Sequence, residues 1–199
     1  MLTVYGRPNS SNSAKVFWLL DELGMDYDLI LTGRGFGATD TPEFRAMNPF
    51  GKVPVLRDDE TVVWESNAVL RYLAGRYGPT TLWPHDHAER SMVDRWMDWA
   101  SLSLTPPLTR LRKARSAGRS GDGDLPAVLA AVTAMDELLA SSHFLAGDAL
   151  SLADIVAAPS VYRWFRLPEA GEGFANLAAY AERLSERPGY RRHIRDALS

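Results

Sequence analysis

Residues 51–70 decide the fold of this chain and read GKVPVLRDDETVVWESNAVL. Two β-prone runs, 53–56 and 61–64, flank the polar residues 57–60, and this arrangement predicts a β-hairpin. Ser66 then precedes apolar residues at helical spacing, which predicts a helix capped by Ser66. The stretch therefore predicts two antiparallel strands followed by a helix.

The residues before this stretch predict alternating strands and helices. Residues 2–5 are β-prone, and four polar residues at 10–13 precede an apolar helical pattern that stops at Gly24. Residues 26–31 alternate as in a strand, and Pro42 opens a short helix. The predicted order is β-α-β-α-β-β-α, which suits a small mixed sheet covered by helices.

The residues after position 78 predict helices and no strand. Residues 78–84, GPTTLWP, break the periodicity and predict a linker. A long amphipathic helix follows, interrupted near Pro106 and Pro107. Further helical patterns cover 125–141, 152–165, 177–184 and 190–198. The predicted fold class is α/β plus all-α, with a mixed domain at 1–78 and an all-helical domain at 85–199.

Composition excludes several classes of function. The 199 residues include 22 Lys and Arg against 25 Asp and Glu, a net charge of −3, so no basic footprint for nucleic acid is present. No apolar run approaches the length of a membrane helix, and the first residues do not resemble a signal peptide, which predicts a cytoplasmic protein without membrane contact. The chain has no cysteine, so any thiol chemistry must use the sulfur of a ligand.

The first candidate site is the polar cluster Ser10-Ser11-Asn12-Ser13 at the start of the first predicted helix. A helix N-terminus presents free N–H groups and a partial positive charge, which favour an anion. The same residues are good N-caps, so a structural role is the alternative.

The second candidate is the backbone of Val53 before Pro54, at the opening of a predicted strand. A cis Val53–Pro54 bond would turn the Val53 backbone outward, where it could pair with an extended ligand. The residues alone do not favour this geometry, because only about 5–6% of X-Pro bonds are cis.

The third candidate is the pair Glu65 and Ser66, between the second hairpin strand and the next helix. The Ser66 hydroxyl and the helix N–H groups can hold a carboxylate, and Glu65 can hold an ammonium. Together they suit the head group of an amino acid, although an ordinary strand end and helix cap explain them equally well.

The order and spacing of these features resemble the cytosolic glutathione S-transferase family over essentially the whole chain. Five stretches carry the resemblance: the Ser-rich turn at 10–13, then 48–56 and 65–73, and in the helical half 144–148 and the Ser-x-x-Asp box at 151–154. The resemblance implies a thioredoxin-like first domain, an expected cis bond at Pro54, and a folding role for that box. The opening residues resemble a bacterial serine- or asparagine-type branch.

The family resemblance also implies roles for single residues. Glutathione would lie extended on the first domain, with Val53 pairing with its cysteinyl unit and Glu65 and Ser66 holding its γ-glutamyl end. Lys52 would approach a carboxylate of the tripeptide, and Arg34, a cation in a glycine-rich loop, is a further candidate contact.

The residue that activates the thiol stays open at this point. Relatives use a serine matching Ser10 or Ser11, or an asparagine matching Asn12. Other classes keep a tyrosine near Tyr5, whose place in the first strand favours a core role.

The linker region and the first long helix after it contain two further candidates. His85-Asp86-His87 is interpreted as a loop, so no metal site is predicted. Trp96 and Trp99 either line an electrophile pocket or belong to the core.

The resemblance implies a glutathione S-transferase that acts on small hydrophobic electrophiles as a homodimer, with glutathione as cosubstrate. Glutathione-dependent peroxidase or dehalogenase activity is the alternative among enzymes. A non-catalytic binding module of the same fold is the alternative outside them.

Overall fold

The computed structural model describes residues 1–171 and 173–198, which form two compact units. The first unit combines Met1–Pro79 with the segment that begins at Pro188, and the second is Thr80–Arg187. The contacts therefore group the segment from Pro188 with the first unit, whereas the sequence-based prediction placed it in the helical domain 85–199. Glu172 and Ser199, which that predicted domain includes, lie outside the described residues.

The first unit has the predicted order of strands and helices. Its elements are β1 (Leu2–Gly6), α1 (Ser11–Glu22), β2 (Asp28–Leu31), α2 (Pro42–Met47), β3 (Val55–Asp58), β4 (Thr61–Trp64) and α3 (Ser66–Tyr77). The strands form one sheet in the order β2-β1-β3-β4. β1 pairs parallel to β2 and antiparallel to β3, and β3 and β4 form the predicted hairpin.

The second strand is shorter than predicted. The pattern at 26–31 predicts a strand over all six positions, but β2 begins at Asp28. Tyr27 instead stacks on the Phe17 ring of α1, with the ring centroids 5.8 Å apart and the planes 7° from parallel. This ring contact holds Tyr27 against the helix and outside the strand ladder.

The last segment packs on α1. It comprises α9 (Pro188–Tyr190) and a π-helical turn (Arg191–Arg195). The Tyr190 ring meets the fully buried Trp18 edge to face, with centroids 5.5 Å apart. Arg192 and the ring of His193 lie 2.8 and 3.1 Å from the same carboxylate oxygen of Asp21. Burial lowers the pKa of His193, and Asp21 opposes that shift.

The second unit is built from helices. They are α4 (His87–Trp99), α5 (Thr105–Ser116), α6 (Leu125–Leu139), α7 (Leu152–Trp164) and α8 (Ala175–Ser185), with a 3₁₀ turn at Pro168–Ala170. An isolated bridge joins Phe144 and Gly147. Within the described ranges, no helix combines the length and the apolar character needed to cross a bilayer.

The interruption of the first long helix lies earlier than predicted. A π-helical segment, Ala100–Leu104, separates α4 from α5, whereas the sequence indicated a break near Pro106 and Pro107. Both prolines occupy the first turn of α5, where a missing N–H costs no helical hydrogen bond.

Asp154 organises the interior of the second unit. Its fully buried carboxylate accepts hydrogen bonds from the backbone N–H groups of Leu145 and Ser151 and from the Tyr180 hydroxyl, each at 2.9 Å. Burial raises the pKa of Asp154, and the hydrogen bonds oppose the shift. Ser151 and Asp154 form the capping box of α7.

Candidate functional site

The strand register brings the sequence-predicted site segments to one end of the sheet. Gly6 pairs with Leu31, so the carboxyl ends of β1 and β2 lie together. Val55, where β3 begins, pairs with Tyr5 and with Trp64, where β4 ends. The segments leaving this end, called the Gly6 end below, carry Ser10, Ser11, Asn12, Arg34, Lys52, Val53, Pro54, Glu65 and Ser66.

The start of α1 shows how the polar cluster divides its roles. Ser10 is the N-cap, and its hydroxyl oxygen accepts a hydrogen bond from the Ser13 N–H at 3.4 Å. Ser11 is a half-buried first helical residue, and Asn12 is exposed in the second position. Ser13 is fully buried and accepts from the Arg7 N–H at 3.4 Å. Ser10 therefore has a structural bond as acceptor, while its hydroxyl proton can still serve a ligand.

Gly6 lets α1 lie close against the end of β1. A Cβ added at this position would lie 3.0 Å from the Ser13 hydroxyl oxygen and 3.1 Å from the Phe17 ring. A side chain at this position would require the Ser13 and Phe17 side chains to shift.

Tyr5 has the surroundings of a packed strand residue. It is half-buried in β1 and meets the buried Phe44 ring edge to face, with centroids 6.1 Å apart. These contacts support the core role that the sequence favoured.

The loop before β3 is held by a buried amide. Asn48 is 1% exposed; its Nδ2 donates to the Lys52 carbonyl at 2.8 Å, and its Oδ1 accepts from the Phe50 N–H at 3.1 Å. The Val53–Pro54 bond is cis, which confirms the expectation drawn from the family resemblance. Val53 is half-buried and Lys52 is exposed, so the Lys52 side chain is accessible to a charged ligand.

The turn between β4 and α3 differs in detail from the prediction. Glu65, with φ of +67°, occupies the N-cap position, and the largely buried Ser66 is the first residue of α3. The sequence had assigned the cap to Ser66. The positive φ of Glu65 is an uncommon backbone geometry for a residue other than glycine, and no residue pattern in this stretch predicts it. Exposed Glu65 can meet an ammonium, while Ser66 and the first N–H groups of α3 can meet a carboxylate.

Lys15 is a charged residue close to this turn that sequence reasoning missed. It lies in the middle of α1, is 6% exposed, and its Nζ is 3.4 Å from Oδ1 of Asn67 in the first turn of α3. Burial lowers the pKa of Lys15 to about 8, and the Glu65 carboxylate opposes that shift. The signal available in the sequence was a single lysine inside the apolar run 14–20.

Arg34 lies in the loop after β2, between two glycines with φ of +84° and +90°. It is exposed. Burial lowers the pKa of Arg7, and the positive charge of Arg34 lowers it further, so the two guanidinium groups influence each other. This part of the Gly6 end is therefore cationic.

The candidate residues of the second unit pack against each other or cap a helix. Trp96 and Trp99 contact each other edge to face, with centroids 5.1 Å apart, and both are half-buried. Asp86 is the N-cap of α4 and accepts from the N–H groups of Ala88 and Glu89 at 2.9 and 3.0 Å. Across residues 1–171 and 173–198, no three His, Cys, Asp or Glu side chains group as metal ligands.

The chain thus combines a unit built on a four-stranded mixed sheet with a helical unit, a two-domain α/β plus all-α architecture. Family models add the particular family: "Glutathione S-transferase, N-terminal domain" matches residues 1–75, and "Glutathione S-transferase, C-terminal domain" matches residues 94–188. The chain belongs to the glutathione S-transferase family, and its first domain is thioredoxin-like.

Individual relatives agree with this assignment. The chain is 39% identical to glutathione S-transferase GstB of Escherichia coli strain K12, over 98% of each chain. It also matches the structure of a theta class glutathione S-transferase from Xanthomonas axonopodis pv. citri with glutathione bound, with a TM-score of 0.91, 37% identity and coverage of 100% and 99%. Glutathione transferase F7 from Populus trichocarpa has a TM-score of 0.87, 27% identity and full coverage of both chains.

Proposed function

We propose that the protein joins the thiolate of glutathione to small hydrophobic electrophiles. By family it is a glutathione transferase, an enzyme with glutathione as its cosubstrate. The observation that carries the proposal for this chain is the Gly6 end of the sheet. Two groups suited to glutathione lie there together. The Val53 backbone can pair with an extended peptide, and Glu65 with Ser66 can bind an amino-acid head group.

Each part of the tripeptide has a partner of suitable chemistry in this arrangement. The γ-glutamyl ammonium meets Glu65, and its carboxylate meets Ser66 and the N-terminus of α3. The cysteinyl backbone pairs with Val53 in the manner of an added strand. Lys52 and Arg34, both exposed cations, serve the remaining carboxylate.

The thiol then lies near the start of α1, where Ser10, Ser11 or Asn12 donates a hydrogen bond to it. A donor and a helix N-terminus both stabilise the thiolate over the thiol. A lowering of one to two units from the free-thiol pKa of about 8.5 corresponds to roughly 1.5–3 kcal/mol of thiolate stabilisation.

Conjugation fits the site better than the alternatives. Non-catalytic modules of this fold that serve assembly or regulation commonly lose the ligand-binding polar groups, whereas Glu65, Ser66 and the cis Val53–Pro54 bond are all present here. Glutathione-dependent peroxidase or dehalogenase activity, which would use the same thiolate, is the alternative among enzymes.

The working state we propose is a cytoplasmic homodimer. The support is the family resemblance, together with the Met- and Trp-bearing helix α4, on which Met92 is exposed. Light scattering at micromolar concentration is expected to return twice the chain mass, and a single chain mass would contradict the dimer.

A glutathione-affinity column followed by a spectrophotometric conjugation assay tests the function. Retention on the column, elution by free glutathione and conjugation of a small aromatic electrophile are expected. Retention without conjugation of any electrophile in a panel would instead indicate the binding module. Failure to be retained, together with no glutathione binding in solution, would contradict both.

A further inference from the structure

The buried ammonium of Lys15 is the feature of the first unit that folding explains least. Its neighbours along α1, from Ala14 through Leu20, are buried core residues. Burying a charged group among such residues costs free energy unless it is paired and hydrogen-bonded. A methionine would occupy the same helical position at no electrostatic cost.

The groups around Lys15 point toward the γ-glutamyl position. Its Nζ donates to Oδ1 of Asn67 at 3.4 Å, in the first turn of α3. The Glu65 carboxylate, one position before that helix, is the charged group that raises the pKa of Lys15 against the effect of burial. Lys15 therefore lies behind the turn whose front is formed by Glu65 and Ser66.

The C-terminal segment also packs on α1. Its Arg192 and His193 bind Asp21, which lies six positions further along the helix than Lys15. The electrostatic partners of the Lys15 ammonium are thus concentrated at the start of α3.

We propose that Lys15 is a positioning residue for the γ-glutamyl end of glutathione, fixing the first turn of α3 through Asn67 and supplying positive charge behind the ligand carboxylate. The proposal rests on the proposed function, because it assigns a role within the same site. Lys15 acts through the turn and does not touch the reacting thiol.

The charge balance gives the proposal a measurable consequence. A bound γ-glutamyl group places its ammonium at Glu65, so Glu65 then interacts with both this ammonium and Lys15. The carboxylate of the γ-glutamyl group adds a new negative charge near the start of α3. The protonated form of Lys15 is then favoured by the ligand. Above the Lys15 pKa of about 8 that positive charge is lost, so the affinity must fall with rising pH.

The experiment uses S-methylglutathione, whose thiol is blocked, and calorimetry from pH 6.5 to 9.5 on the full chain. The α-amino group of this ligand titrates in the same range, so each variant is compared with wild type at every pH. Lys15→Met is expected to bind about tenfold more weakly than wild type at pH 6.5, the scale of one lost charged interaction, and this difference is expected to shrink above pH 8, where wild type also loses the Lys15 charge. Lys15→Arg keeps its charge at every pH, so it is expected to match wild-type affinity at pH 6.5 and to decline less than wild type above pH 8.

Lys113→Met, at an exposed lysine of α5, is the matched control and is expected to behave as wild type. A folded Lys15→Met variant with the affinity and pH profile of wild type would overturn the proposal. If Lys15→Met does not fold, Lys15→Arg carries the test, and a wild-type pH profile in that variant overturns the proposal as well. Absence of binding by wild type at pH 6.5 would instead contradict the proposed function, which separates the two failures.

Discussion

Nζ of Lys15 lies 3.4 Å from Oδ1 of Asn67, and this contact joins the middle of α1 to the first turn of α3 across the interior of the first unit. The ammonium is nearly inaccessible to solvent, at 6% exposure of the residue. Its protonation therefore affects the free energy of unfolding as well as ligand binding.

The free energy of unfolding is expected to rise with pH above about 8 because of Lys15. Its pKa is about 8 in the folded protein against an ordinary value of 10.5, so between these values the unfolded chain binds more protons than the folded protein. Below this window both states are protonated and Lys15 adds no pH dependence. Urea unfolding at pH 7.5 and 9.5 should show a rise of about 1–3 kcal/mol in wild type relative to Lys15→Met. An equal change in the free energy of unfolding between the two pH values in both proteins would contradict the low pKa of Lys15.

Glu65→Ala and Ser66→Ala are each expected to weaken glutathione binding by about 1.5–3 kcal/mol, because each removes a hydrogen bond to a charged ligand group. Glu60→Ala is the matched control, since exposed Glu60 lies in the hairpin turn at the opposite end of the sheet. Calorimetry that finds unchanged affinity in both site variants would remove these residues from the site.

Replacing the true thiol donor among Ser10, Ser11 and Asn12 by alanine is expected to raise the thiol pKa of bound glutathione by about one to two units. Tripeptide affinity should change little, because Val53, Glu65 and Ser66 still hold the ends. Thiolate absorbance titrations on the three variants identify the donor.

Ser10→Ala has a second expected effect, a loss of about 1 kcal/mol of stability from the missing cap. Thermal unfolding separates it from the effect on the thiol. Wild-type thiol pKa and rate in all three variants would exclude side-chain activation from this cluster and turn attention to backbone N–H groups or Tyr5.

Gly189→Ala is expected to destabilise the protein by about 1–3 kcal/mol through overpacking. The added Cβ would lie 2.6 Å from Cδ1 of the buried Trp18 ring and 3.1 Å from Cβ of Asp21. Gly123→Ala is the control, because nothing lies within 4 Å of a Cβ at that loop position. Denaturant midpoints should separate the two variants, and equal midpoints would mean that the last segment does not hold its place on α1.

The sequence was sufficient for the architecture because the relevant signals are local. The hairpin at 53–64 is bounded by polar turn residues, and the helices show apolar spacing over two or more turns. Candidate site residues could be proposed as well, because Val53 opens one predicted strand and Glu65 and Ser66 follow the next, and the strand register places these positions at one end of the sheet.

Features that depend on long-range packing or unusual backbone geometry were not predictable. A lysine on a helix is ordinarily exposed, so nothing marked Lys15 as buried against α3. The positive φ of Glu65 has no residue signal, because it is imposed by the passage from β4 into α3. The contact of Tyr190 with Trp18 joins residues far apart in the chain, and no local pattern encodes it.

The packing of the last segment on α1 has a consequence for biosynthesis. Trp18 is fully buried, and Tyr190 forms part of its surroundings. While a ribosome is still translating the helical domain, the Trp18 face of α1 in the nascent first domain therefore lacks its contact with Tyr190. Completion of the first domain depends on the residues from Pro188 onward, so its final folding step must follow the translation of the whole helical domain.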